Sequence, residues 1–228
     1  MEPEPRTRTR NPELRTQNLH SIRLHAIVDA ELSAAHGWAP ADLAAAFLDG
    51  GAPLIQLRAK QLPSGAFLAL CDTLVQAAES FRAAVIVNDR VDLAAMSGAT
   101  GVHVGQDDVP PAAARRILGD RATVGYSTHT TAQIEAAARE PISYLAIGPV
   151  FGSRTKDTGY AAVGVGRVAE AVRLSCGIPV VAIGGITLET AASVIAAGAS
   201  GIAVIGDLLA DGDPVRRLAA YQRVLRGT

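Results

Sequence analysis

An excess of either charge is the first thing missing from this 228-residue chain: 21 Lys and Arg stand against 22 Asp and Glu, a formal net charge of -1. So balanced a surface offers no field for non-specific binding to nucleic acid or acidic membranes, and an anionic ligand must be met by groups placed locally. Cysteine is scarce as well, with only Cys71 and Cys176. They lie far apart, lack metal-ligand spacing and sit in Ala- and Leu-rich helical surroundings, which predicts two buried free thiols and no disulfide. No stretch approaches the roughly 20 uninterrupted apolar residues of a membrane span, and no apolar h-region opens the chain. The expected location is the cytoplasm, with neither membrane nor nucleic acid as partner. Residues 1–20 are nearly devoid of apolar side chains. They cannot bury enough surface to offset their ordering entropy, so a disordered tail is expected ahead of a single domain over 21–228.

From Arg23 onward one unit repeats: a short β-branched run, a polar or glycine turn, then an Ala-rich amphipathic segment. Strands are predicted at 23–28, 53–58, 83–88, 101–104, 122–126, 143–147, 178–183 and 201–205. Helices are predicted near 39–50, 64–79, 90–97, 110–118, 130–139, 164–174, 187–197 and 213–226. Ser64, Thr130 and Thr187 stand where N-caps are wanted, Pro110 and Pro111 suit a first helical turn, and Gly50, Gly119 and Gly198 stand where helices should end. Strands this short, apolar and regularly alternated with helices belong to a parallel sheet, and their even spacing without a long mid-chain crossover favours a closed (β/α)₈ TIM barrel over an open doubly wound sheet.

In such a barrel chemistry belongs at the carboxyl ends of the strands. Asn88-Asp89 closes one apolar run and Gln106-Asp107-Asp108 follows Gly101-Val102-His103-Val104-Gly105. Carboxylates leaving neighbouring parallel strands, roughly 4.8 Å apart, can share one hard divalent cation, which makes this edge a candidate Mg²⁺ seat. The competing reading makes Asp89, Asp107 and Asp108 helix caps. Asp92 reads as an exposed first-turn acid beside the helix dipole. Gln56, Arg58 and Lys60 alternate and should share one face of a strand, costly inside a barrel unless they meet an anion at its mouth. The long segment Gly148 to Gly159 has hydroxyls and Lys156 able to donate to phosphate, and the glycine turns Gly184-Gly185 and Ile205-Gly206 stand where barrel enzymes often hold a monophosphate. Two phosphate-suited regions on one rim point to two phosphorylated substrates. His103 reads as a satisfied interior residue, and His129 as ordering its turn or acting directly; no Ser/His/Asp or zinc arrangement stands out.

Taken in order, Gln56-Leu57-Arg58-Ala59-Lys60, Val87 to Asp92, Gly101 to Asp108, Gly125 to Thr130, Gly148 to Lys156 and Ala182 to Ile186 resemble the thiamine-phosphate synthase family, also called thiamine-phosphate pyrophosphorylase. The likeness runs from about Leu24 to about Leu225. It implies joining of 4-amino-2-methyl-5-hydroxymethylpyrimidine diphosphate to 4-methyl-5-(2-phosphoethyl)thiazole, giving thiamine phosphate and pyrophosphate. By match to the family pattern, Gln56, Leu57, Arg58, Ala59, Lys60, Asn88, Ser127 and Lys156 would hold the pyrimidine diphosphate, with Arg58, Lys60, Ser127 and Lys156 catalytic. Asp89 and Asp108 would bind Mg²⁺. Ser153, Arg154, Thr155, Gly185, Ile205 and Gly206 would receive the thiazole phosphate. Three positions depart from the pattern: Ala59 replaces an acid, Ser153 a Thr, and Gly206-Asp207 a Ser-Ala pair, so Asp207 brings negative charge close to the expected phosphate. The alternatives are a thiazole tautomerase-like relative, which would need neither acids nor cationic clamp, and a non-catalytic phosphate-ligand sensor. Homo-oligomerisation is left open.

Overall fold

The eight apolar runs are strands: β1 (Leu24–Asp29), β2 (Leu54–Arg58), β3 (Ala84–Asn88), β4 (Gly101–Val104), β5 (Thr123–Thr128), β6 (Tyr144–Ile147), β7 (Val180–Ile183) and β8 (Gly201–Val204). Each pairs in parallel with the next, and β8 returns to β1. Closure leaves no strand edge unpaired and sends every connecting helix to the outside. The computed structural model describes residues 22–152 and 159–228. The expected tail over 1–20 lies outside the described residues, as do Ser153, Arg154, Thr155 and Lys156.

The helices are α1 (Ala30–Ala35), α2 (Pro40–Asp49), α3 (Ser64–Phe81), α4 (Val91–Ser97), α5 (Pro111–Leu118), α6 (Thr131–Ala137), α7 (Gly164–Leu174), α8 (Ala191–Ala196) and α9 (Pro214–Arg226), with a 3₁₀ turn at Gly206–Leu209. They form where buried side chains recur at helical spacing, as with Phe67, Cys71, Leu74 and Ala78 along α3. Thr130 caps α6 in a capping box with Gln133, as its position predicts. Two other expected caps are not caps. Pro63 precedes α3, and the Ser64 hydroxyl accepts a hydrogen bond from Arg90 instead. Thr187 donates its backbone N–H to the Thr190 hydroxyl, a local turn that holds this stretch out of the helix until Ala191. The short helix α1 is not expected from the sequence, because six residues are too few to show a period; the Asp29 carboxylate starts it by accepting from the Leu32 N–H.

Alternation along the strands sorts side chains into two shells. In β2, Ile55 and Leu57 join the large layer between sheet and helices, whereas Gln56 and Arg58 face the barrel interior. The inner shell is apolar low in the barrel, at Ile22, Leu54, Ala84 and Ile86. Towards the mouth it turns polar, at His25, Gln56, Arg58, Asn88, His103 and Ser127. Both cysteines are free. Cys71 is buried on the inner face of α3, but Cys176 is exposed, contrary to expectation: α7 ends at Leu174, and Cys176 stands in the following turn with a φ of 51°.

Candidate active site

Strand ends from β2 round to β8 contribute to one continuous rim. A cavity of about 690 Å³ opens over β5 to β8, bordered by Ser127, His129, Gly148, Gly185, Ile205 and Gly206. Ser127 also borders an inner depression with Gln56, Arg58 and Asn88. Asn88 in turn belongs to a smaller hollow with Ala59, Lys60 and Asp89. Nearly every described residue expected at the site therefore lies along a single track across the barrel mouth. Leu57 is the exception: its side chain is fully buried against the helices.

Asp89 and Asp108 come together at one end of that track. Neither is a helix cap, because Arg90 precedes α4 and Pro110 precedes α5. Asp89 has a φ of 64°, a left-handed conformation uncommon outside glycine, and its N–H donates to the His103 carbonyl at 2.8 Å. Burial and the adjoining Asp108 carboxyl hold its pKa above the ordinary range, opposed by Lys60, whose ammonium stands 3.3 Å away. Asp108 is steadied by the Gly105 N–H at 2.7 Å. Two crowded carboxylates are a donor set that fits Mg²⁺, which commonly takes one or two carboxylates and completes its shell with water and phosphate oxygens. Among the described residues no larger cluster of metal-ligating side chains exists. Asp92 stays outside the site, paired with Arg90 at 2.5 Å.

The expectation that Gln56, Arg58 and Lys60 share one face holds for the first two. β2 ends at Arg58, so Lys60 lies beyond the strand and turns outward to Asp89. Arg58 is ion-paired with Asp29, its cross-strand neighbour in the β1–β2 register. The Arg58 Nε–H is buried, and no acceptor among the described residues reaches it. An orphaned cationic donor at the barrel mouth is costly unless an anion completes it. Asp29 is a functional neighbour missed from sequence, although it carries the same signal as Asp89, an acid closing an apolar strand.

Ser127 stands at the centre of the track under firm control. Register lines up His103, Gly125 and Tyr144 on β4, β5 and β6. A Cβ on Gly125 would lie 2.2 Å from the Tyr144 ring and 2.5 Å from His103 Nδ1, so the glycine is what lets those two side chains meet across the middle strand. Tyr144 Oη lies 3.0 Å from His103 Nδ1, and His103 Nε2 lies 2.8 Å from Ser127 Oγ. Burial pushes the Tyr144 pKa up, so its phenol keeps its proton. The imidazole thus bridges the Tyr144 phenol and the Ser127 hydroxyl and fixes where Ser127 Oγ sits. His25, beneath, is lowered to about 4 by burial and is neutral. His129 orders its turn, with Nδ1 2.6 Å from the Gly148 carbonyl and its ring stacked on Tyr160.

The turns after β7 and β8 supply the far end. Gly185 has a φ of 64°, and a Cβ there would lie 2.1 Å from the Phe151 carbonyl. Gly185→Ala is therefore expected to lower thermal stability, read by a melting curve. Asp207 does border the large cavity, but its carboxylate is taken up by Arg217 at 2.8 Å, which answers the charge conflict raised by the sequence.

A closed (β/α)₈ barrel whose mouth lines up paired acids, cations, an oriented hydroxyl and glycine turns defines an enzyme class acting on phosphorylated small molecules. The thiamine monophosphate synthase family profile matches residues 24–208. A thiamine-phosphate synthase of Koribacter versatilis is 41% identical over 208 residues, covering 89% of this chain and 95% of that one. One from Roseiflexus castenholzii is 42% identical over 173 residues, covering 76% and 75%. The solved thiamine phosphate pyrophosphorylase of Pyrococcus furiosus superposes with a TM-score of 0.83 at 29% identity, covering 92% of this chain and 98% of that one. The chain belongs to the thiamine-phosphate synthase family.

Proposed function

We infer that this chain joins 4-amino-2-methyl-5-hydroxymethylpyrimidine diphosphate to 4-methyl-5-(2-phosphoethyl)thiazole, releasing pyrophosphate and thiamine phosphate. The observation that carries the reading is the convergence of Asp89 and Asp108 with Lys60, Arg58 and Ser127 on one rim. Mg²⁺ bound through Asp89 and Asp108 would neutralise charge on the diphosphate. Arg58, bordering the inner depression, sets positive charge beside the departing group, Lys60 adds a second positive charge, and Gln56 and Asn88 orient the pyrimidine side. Ser127, held in place by His103, offers its hydroxyl to the same substrate. Lys156 completes the cationic set by match to the family.

The physical demand is modest. Pyrophosphate leaves a benzylic-type carbon whose positive charge the aminopyrimidine delocalises, and a neutral thiazole nitrogen attacks, so charge stabilisation matters and a general base does not. Gly185, Ile205 and Gly206 would receive the thiazole phosphate across the cavity from the diphosphate, leaving the two reacting atoms between them. The setting we propose is cytoplasmic, with two small phosphorylated partners and neither nucleic acid nor membrane; among the described residues no helix is long and apolar enough to cross a membrane. The direct test is the two-substrate assay with and without Mg²⁺, following pyrophosphate and thiamine phosphate together. Both products in equal amounts, dependent on the metal, are expected. Substrate binding without turnover would instead favour the sensor reading.

A further inference from the structure

Asp207 borders the large cavity next to Gly206, yet none of its carboxylate faces the space as a bare charge. Arg217 Nη2 donates to Oδ1 at 3.0 Å and to Oδ2 at 2.8 Å, while Nε reaches both Oδ2 and the Asp207 carbonyl at 3.2 Å. The Leu188 N–H donates to Oδ2 at 3.2 Å, and the Tyr221 hydroxyl donates to the same atom. Tyr221 is fully buried, and burial together with Asp207 pushes its pKa up, so it remains a donor. Its hydroxyl also lies 3.4 Å from the Ile186 carbonyl. Ile186 and Leu188 belong to the turn after β7, Asp207 to the turn after β8, and Arg217 and Tyr221 to α9.

We propose that Asp207, clamped by Arg217 and Tyr221, is the positioning residue of the thiazole-phosphate cup: it ties the β7 and β8 turns together while Arg217, which also pairs with the more exposed Asp211 at 2.9 Å, offsets its charge towards the phosphate. The proposal rests on the reading that this cup receives the phosphate. Its physical content is a sign. A simple structural clamp loses more with each member removed, whereas a charge-cancelling clamp does worst when Arg217 alone is lost, because the carboxylate is then left uncompensated beside an anion.

The test is a double-mutant cycle on the full chain, with KM measured for each substrate and melting temperature for each variant. Arg217→Met is expected to raise the KM for thiazole phosphate about tenfold or more, the penalty of stranding one member of a desolvated pair, while the KM for pyrimidine diphosphate stays within about twofold. Adding Asp207→Asn to Arg217→Met should bring the thiazole KM back down by at least about threefold, a coupling that only interacting sites show. Equal rises in both KM values, or a double variant no better than Arg217→Met, overturn the proposal. Should Arg217→Met not fold, Arg217→Lys and Tyr221→Phe decide the matter: each weakens the clamp while keeping charge or volume, and each should raise the thiazole KM alone. No selective rise in either overturns the idea equally. An unsubstituted enzyme that makes no thiamine phosphate would end the functional reading and this proposal together; an active one lacking the KM pattern ends only this proposal.

Discussion

Asp89→Asn should reduce thiamine phosphate formation at saturating Mg²⁺ by at least about a hundredfold, the scale on which removing preorganised charge at a reacting group is felt. The same substitution should raise the melting temperature of the metal-free protein. Both effects follow from one environment: the carboxyl is buried, adjoins Asp108 and has its pKa raised, so its ionised form is a burden on the fold that Lys60 relieves only in part. Because the folded-state pKa lies above the ordinary Asp value of about 3.9, the metal-free fold is most stable with the group protonated and loses that stability as pH rises through the folded pKa. Mg²⁺ competes with the same proton, so its affinity should fall as pH drops through that range. Asn is the better variant because it tolerates the left-handed φ of 64°, whereas Ala there costs about 1–2 kcal/mol. Melting curves with Mg²⁺ and with chelator should move the unsubstituted protein upward on metal addition and leave Asp89→Asn still. A variant that keeps full activity, or that Mg²⁺ stabilises as before, would remove Asp89 from the metal site.

Arg58→Met is the second large effect. Loss of this side chain should lower kcat by about a thousandfold, since it removes a charge-assisted donor from the leaving group. It should also lower unfolding free energy by about 2 kcal/mol, because Asp29, only 6% exposed, loses its cation. The stability loss stays below that of a fully stranded carboxylate because Asp29 still accepts from the Leu32 N–H at 2.9 Å. Arg58→Lys separates the two contributions. It restores a cation for Asp29 and hence most of the stability, but a compact ammonium lacks the planar fork with which a guanidinium can meet the Asp29 carboxylate and a second anion together. Urea titrations beside steady-state rates would show stability returning without kcat; recovery of both would mean that Arg58 contributes charge and no geometry.

Short-range features of the sequence are the ones that foretold structure. β-Branched runs of four to six residues became strands because in a parallel sheet both faces are buried, and Thr130 became a cap because Gln133 lies within its own first turn. Asn88-Asp89 and Gln106-Asp107-Asp108 marked the rim because topology alone sends all strand ends to one side. What escaped depended on partners distant in sequence. Tyr144 with His103 requires knowing that β4, β5 and β6 align with a glycine between them. Asp207 reads as a threat to an anion until Arg217 of α9 is seen to hold it. Lys60 left the common face of Gln56 and Arg58 because the strand stopped two residues earlier.

The turn that carries Cys176 gives the molecule a chemical handle. It joins α7 to β7, on the side where strands begin, whereas the catalytic track lies where they end. The other thiol, Cys71, is sealed beneath α3 with its pKa raised to about 12 by burial and by Asp72, so thiolate reagents find almost nothing there to attack. A fluorophore or surface tether attached through sulfur would thus settle on the floor of the barrel and leave its mouth open for turnover.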